Sequence, residues 1–306
     1  MNYKIYKDQL DSTKGNGKGK KFIKSNFGNT KVSYKEFTSF ILNQIPSNTN
    51  QYVQVSRLSS EEQNWHDCGS PVVFLDDISL VNSLYFAEFD FENNFNVEPP
   101  FKTFALSFPK NTVIEGVEIQ SCLATIMTRK EFIDLYGSEI TQKDRLEKDH
   151  NGNELCISIA YETASKTTNT NFTHLSTYTK TLKSNFSEKI SNNGTEILTV
   201  LTKIALAMCV YNSATEGKKL VEGYPVSSIV MPKNKNRVSY KGLTISADRE
   251  KQQTKEIRKI KHRIPFYRNL QADRYYKGEY ENLKRGSRWI LVKEIDLDNS
   301  MNTLLN

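Results

Sequence analysis

The segment "ILTVLTKIALAMCVY", from Ile197 to Tyr211, constrains the fold most strongly. Thr195 is placed to cap a helix that runs to about Thr215, and the later turns are apolar nearly all round. A helix of this kind needs packing partners on both sides, so it is expected to be buried between layers. Its longest strongly apolar run, Ile204 to Tyr211, is bounded by Lys203 and Asn212. That is far short of the roughly 20 residues a bilayer requires, and no membrane span is expected. Met1 to Lys31 holds no hydrophobic signal core, so the expected location is the cytoplasm.

The layers around that helix must come from the rest of the 306 residues. Apolar residues are only 37% of the chain, but 16 Phe and 15 Tyr supply bulky core material. "PVVFLDD", "LYFAEFDF", "FKTFALSF", "EGVEIQSCLATIM" and "NELCISIAYE" read as strands of one antiparallel or mixed sheet. Two helices announce themselves by capping boxes: Ser33 with Glu36, running to Pro46, and Thr128 with Glu131, ending at Gly137. The class is therefore α+β, a mixed or antiparallel sheet with a buried long helix.

Three parts are expected along the chain. Residues 1–32, rich in Gly, Asn and Lys, read as a flexible basic lead-in or a long turn. Residues 33–190 form the sheet region, and 191–306 combine the buried helix with an Arg- and aromatic-rich, strand-containing module. Within the last part, "DREKQQTKEIRKIKHR" reads as a charged helix and "SRWILVKEIDL" as a final strand. Cys68, Cys122, Cys156 and Cys209 are widely separated and read mainly as buried reduced thiols.

Catalytic and metal motifs are sparse. Gly19-Lys20 is followed by Lys21, which breaks the phosphate-loop pattern. No Cys-x-x-Cys, His-Glu-x-x-His or Gly-x-Ser-x-Gly is present, and His66, His150, His174 and His262 define no triad by spacing. "WHDC" at Trp65 to Cys68 reads as a surface turn before a strand. No cofactor and no metal is expected. Glu88, Asp90 and Glu92 alternate in "EFDFENN" and supply the one candidate for a metal-dependent nuclease, although the solvated face of a strand gives the same alternation.

Charge distribution is more informative. From Met231 to Lys293 there are 18 Lys plus Arg against 6 Asp plus Glu, whereas the remainder has 24 against 29. A basic surface on a slightly acidic body attracts polyanions or an acidic partner. Arg263, Arg268, Arg274, Arg285 and Arg288 interleave with Tyr275, Tyr276 and Trp289, a mixture suited to neutralising phosphates and stacking on unpaired bases. Arginine also forks onto carboxylates, so an acidic protein surface is the alternative partner.

The order His262-Arg263-x-Pro265-x-x-Arg268, then Gly278, then Arg288-Trp289, resembles the closing motif of a group of phage and plasmid proteins. That group includes a type V anti-CRISPR that down-regulates biosynthesis of the effector nuclease. Its motif reads approximately Arg-Pro-His-x-Arg-Arg-Gly-His-Trp, then a Gly-containing aromatic stretch, then Arg-Trp. The resemblance spans roughly the last 110 residues. Phe266 and Gln271 stand where the group has histidines, Leu270 replaces its glycine and Ala272 its first tryptophan. Phe266 can pack and stack but cannot transfer a proton.

The resemblance implies an anti-defence protein of a mobile element that acts by binding. Its implied partners are a host defence effector or that effector's nascent peptide, with RNA or the ribosome. Arg263, Arg268, Arg285 and Arg288 would make the electrostatic contacts, Tyr275, Tyr276 and Trp289 would stack or support, and Pro265 and Gly278 would shape the backbone. The alternatives are a direct protein inhibitor of a defence complex and the nuclease built on Glu88, Asp90 and Glu92.

Overall fold

A computed structural model of the chain describes residues 3–28, 31–75, 78–90, 96–114, 116–137, 152–162, 168–174, 195–225, 241–245 and 263–296. Glu92, His262 and all but the last residue of the expected charged helix at 248–263 lie outside them. Helices α1 (Gln9–Lys14), α2 (Gly17–Phe27), α3 (Tyr34–Asn43) and α4 (Asn50–Asp67) come first. Strand β1 (Pro71–Leu75), helix α5 (Ile78–Phe86) and strand β2 (Glu88–Asp90) follow. Next are β3 (Thr103–Ser107), β4 (Val113–Ile114), β5 (Val117–Glu118), β6 (Cys122–Thr128), α6 (Arg129–Tyr136), β7 (Leu155–Glu162) and β8 (Thr168–His174). Helix α7 (Thr195–Ala214) leads to β9 (Leu220–Glu222), β10 (Lys241–Ile245), β11 (Arg263–Asn269) and β12 (Trp289–Asp296).

The fold is α+β. A seven-stranded mixed sheet has the order β8-β7-β6-β3-β1-β10-β9, and a separate three-stranded sheet the order β12-β11-β2. Strand β1 pairs in parallel with both β3 and β10, while β3, β6, β7 and β8 run antiparallel. Strands from residues 33–190 and 191–306 thus share both sheets, since β10 joins β1 and β2 joins β11.

The strands alternate cleanly between two faces. Val73, Leu75, Phe104, Leu106, Ala124, Ile126, Ile157 and Ile159 form one core with α5, α7, Tyr267 and Trp289. Helix α7 is therefore enclosed between the large sheet and the small one, as its apolar circumference requires. Its 18-residue stretch Ile197–Ala214 is long and apolar enough to cross a membrane by composition, yet 67% of that stretch is buried inside the protein. It is a core helix.

The other face of the large sheet is covered by α4 and the N-terminal segment, where Tyr3, Tyr6, Leu58 and Trp65 pack on Val72, Phe74, Ala105, Leu123 and Ala160. Residues 9–27, expected as a flexible lead-in, instead form two helices. Asp8 caps α1 by accepting from the amide of Asp11, and Asn16 caps α2 by accepting from that of Gly19. Buried Leu10 joins Phe37 and Val32, with Phe22 and Phe27 packed beside them. The aromatics scattered among lysines and glycines, not the overall composition, fix this region.

Both capping boxes form as read, at Ser33/Glu36 and Thr128/Glu131. "LYFAEFDF" does not form one strand: Leu84 to Phe86 end α5, and only Glu88–Asp90 is extended. Cys122, Cys156 and Cys209 are buried thiols, while Cys68 is exposed at the end of α4. Burial raises the Cys156 thiol to about 12.

Candidate nucleic-acid interface

Strands β11 and β12 form an antiparallel hairpin whose register shifts between Phe266 and Tyr267. Its inner face is aromatic. Phe89 of β2 stacks on Tyr267 at 5.8 Å and meets Trp289 edge-on at 6.1 Å. Trp289 is 1% exposed and its Nε1 donates to the Asn96 carbonyl at 2.9 Å. A side chain so enclosed cannot stack on a base, so of its two expected roles only support fits the geometry. On the outer face Arg268 Nε donates to Asp90 Oδ2 at 2.9 Å, with both side chains half exposed.

The hairpin's long connection, residues 270–288, is built around one hydroxyl. Tyr276 Oη donates to the Leu270 carbonyl at 2.6 Å and accepts from the amides of Gly286 at 2.8 Å and Arg288 at 3.3 Å. Asn269 Nδ2 donates to the Gly286 carbonyl, and Ser213 of α7 donates to that of Ser287 at 2.9 Å. Gly278 and Gly286 have φ of 63° and 82°, which side-chain-bearing residues rarely adopt. Tyr276 is thus an internal clamp, and Gly278 has the backbone role expected of it.

The arginines divide by partner. Arg288 donates from Nη1 to the Tyr275 carbonyl at 2.7 Å and lies over the Tyr280 ring, 3.5 Å from its centroid. Arg285 donates to the Gln271 carbonyl and pairs with Asp273 at 2.9 Å, with both charged groups largely exposed. Arg274 lies over the Tyr275 ring at 4.8 Å and donates to its hydroxyl. Tyr280 Oη donates to Glu216 at 2.9 Å. Hydrogen bonding to the carboxylates of Glu279 and then Glu216 pushes that phenol up to about 12.

What remains outward is a rim in which cations outnumber the exposed Asp273, Glu279 and Glu281. Arg274, Lys277, Lys284 and Arg285 are all exposed on one connection, with Tyr275 and Tyr280 half buried beside the cations. Exposed ion pairs such as Arg285–Asp273 are weakly held, so their arginines can exchange a carboxylate for a phosphate at small cost. Arg263 and Pro265 lie in β11, joined to this rim by the same hairpin.

Of the rival acidic site, Glu88 and Asp90 lie on one strand as expected, and Glu92 lies outside the described residues. Glu88 and Asp90 share the outer face of β2, opposite Phe266 and Arg268 of β11. The Asp90 carboxylate is engaged by a guanidinium, which opposes cation binding there. Among the described residues no group of three or more His, Cys, Asp or Glu is placed to hold a metal ion.

A second polar constellation was not visible in the sequence. Helix α4 buries two adjacent glutamates, Glu61 and Glu62, each 0% exposed. Glu61 accepts from Tyr136 at 2.5 Å and Thr125 at 3.0 Å, and desolvation raises its carboxyl from the ordinary range. Glu62 accepts from Tyr6 at 2.6 Å, from the Gln9 amide at 3.1 Å and from Tyr34. One turn on, His66 bridges Ser70 Oγ at 3.0 Å and Asp8 Oδ2 at 2.9 Å.

"WHDC" is therefore the last turn of α4, not a surface turn, with Trp65 0% exposed. Ser70, His66 and Asp8 have the residue types of a hydrolase triad, but Ser70 is 1% exposed at a helix end, where its amide donates to the Trp65 carbonyl. A nucleophile there would face no substrate.

Comparison with protein-family models, curated proteins and solved structures finds no match.

Proposed function

We propose that the protein is a binding protein of a mobile element, acting against a host defence system in the host cytoplasm, and that the β11–β12 connection contacts single-stranded RNA. The carrying observation is the clamped connection that holds Arg274, Lys277, Lys284 and Arg285 outward beside Tyr275 and Tyr280. A preorganised basic rim with aromatic faces suits a flexible polyanion, because phosphate neutralisation supplies affinity and stacking tolerates any base.

The anti-defence assignment rests on the resemblance of the tail, which keeps Pro265, Arg268, Gly278, Arg288 and Trp289 of the group's motif while lacking its histidines. Under this reading the target is an effector at the level of its expression, met as nascent peptide and message. The Asp90–Arg268 pair weighs against the nuclease alternative.

Affinity isolation of the tagged protein from its host, with and without RNase, tests this reading. Ribosomes or one message lost on RNase treatment are expected. A stoichiometric, RNase-resistant defence protein would replace the RNA contact by direct inhibition.

A further inference from the structure

The contact between the N-terminal segment and α4 is unusual in its charge. Asp8 is 4% and Glu62 0% exposed, and the negative charge of Asp8 disfavours ionisation of Glu62. Among the described residues the one ion-pair partner of either carboxylate is the His66 imidazole. The groups facing this cluster come from every element packed around it: Tyr6 and Gln9 from the N-terminal segment, the Asp11 amide from α1, Tyr34 from α3, and Ser59 and Ser70 from α4 and its end. All but His66 are neutral donors or acceptors in their ordinary states.

A carboxyl buried near a second buried carboxylate is tolerated best when it holds its own proton. We propose that residues 3–14 form a proton-dependent latch on α4, closed when the buried Glu62, held between Tyr6, Gln9 and Tyr34, is protonated and loosened when it is not.

Beside the Gln9 bond to Ser59 and the Tyr6–Trp65 ring contact, several ties of the segment near this point run to the cluster. Tyr6 and Gln9 bond to Glu62, and Asp8 bonds to His66 while also capping α1. Losing the Glu62 proton puts a second negative charge near Asp8 that is held by neutral donors alone, whereas opening lets water reach both carboxylates. Desolvation first, and Asp8 second, raise Glu62 to about 7, which places the transition near neutrality. A carboxyl raised in the closed state holds its proton more tightly there than when open. Closure is therefore strongest below the ordinary carboxylate range, weakens as pH rises from there to about 7, and changes little above.

Distal contacts of the segment, the Tyr3–Pro109 bridge and the Lys4–Glu118 ion pair, lie away from the cluster. Opening is thus centred on residues 6–14. The buried strands β6 and β7 do not share it.

Amide hydrogen exchange of the full chain, corrected for intrinsic rates, tests the latch. Between about pH 5.5 and pH 8.5 the opening of residues 6–14 should increase about thirtyfold, the change a carboxyl shifted this far produces, with β6 and β7 unchanged. Glu62→Gln, neutral at every pH, keeps one acceptor oxygen for either Tyr6 or Tyr34 and turns an amide toward the other phenol, so it should loosen the segment by a constant amount and flatten the pH dependence. Tyr34→Phe should loosen the segment at both ends of the range while keeping a slope. Protection of 6–14 that does not vary with pH in the wild-type chain, or that falls in parallel with β6 and β7, would overturn the proposal. So would an unaltered slope in Glu62→Gln.

Discussion

Arg288 lies over Tyr280, its guanidinium carbon 3.5 Å from the ring centroid, while Tyr280 in turn donates to Glu216 just beyond the end of α7. The pair ties the basic connection to the core helix, and it reassigns Arg288 from ligand contact to scaffold. Arg288→Lys keeps the charge but loses the planar stack and the aligned bond to the Tyr275 carbonyl. It should cost about 1 kcal/mol in urea unfolding, with no more than a small loss of RNA affinity.

Tyr276→Phe should be worse than its single missing atom suggests. The change leaves the Gly286 amide and the Leu270 carbonyl without their hydroxyl partner in a part-buried position. A loss of about 1–3 kcal/mol is expected, with faster amide exchange confined to residues 270–288.

Gly19 packs against α1 so closely that an added Cβ would lie 1.8 Å from the Thr13 carbonyl oxygen, a backbone atom that cannot swing away. Gly19→Ala should therefore separate α1 from α2 and destabilise the N-terminal region by about 1–3 kcal/mol. A thermal melt and the exchange protection of residues 9–27 measure it.

Tyr136→Phe removes the short bond to Glu61. Because burial raises the Glu61 carboxyl, its folded form favours the proton, and the missing donor matters most once that proton has left. The variant should be destabilised more at alkaline than at acidic pH, and denaturant titrations across the range should show the gap widening upward.

How much of this was legible in the sequence depended on whether the signal was local. Ser33/Glu36 and Thr128/Glu131 act within one turn, so the two boxes could be read directly. The circumference of α7 likewise encodes its burial between sheets. Helix α4 was missed because its buried face mixes Val53, Leu58 and Trp65 with Ser59, Glu61 and Glu62, which hides the apolar period. The Asp8–His66 contact joins residues 58 apart, and no spacing announces it.

At the candidate interface, the sequence showed the cations and aromatics but not their division of labour. Trp289 and Tyr276 turned inward because the indole and phenol each met a backbone partner beside α7 or within the connection. Arg274 and Arg285 stayed outward.

Binding of a labelled single-stranded RNA across a salt series tests the central claim most directly. The wild-type chain should bind without cleaving it, and affinity should fall as salt rises. Replacing Lys277, Lys284 and Arg285 together by Gln should weaken binding at least about tenfold and flatten the log–log salt slope by about 2, as expected for three lost phosphate contacts. RNA binding that is absent, or that survives this triple change with its salt dependence intact, would contradict the assignment of the β11–β12 connection as the interface.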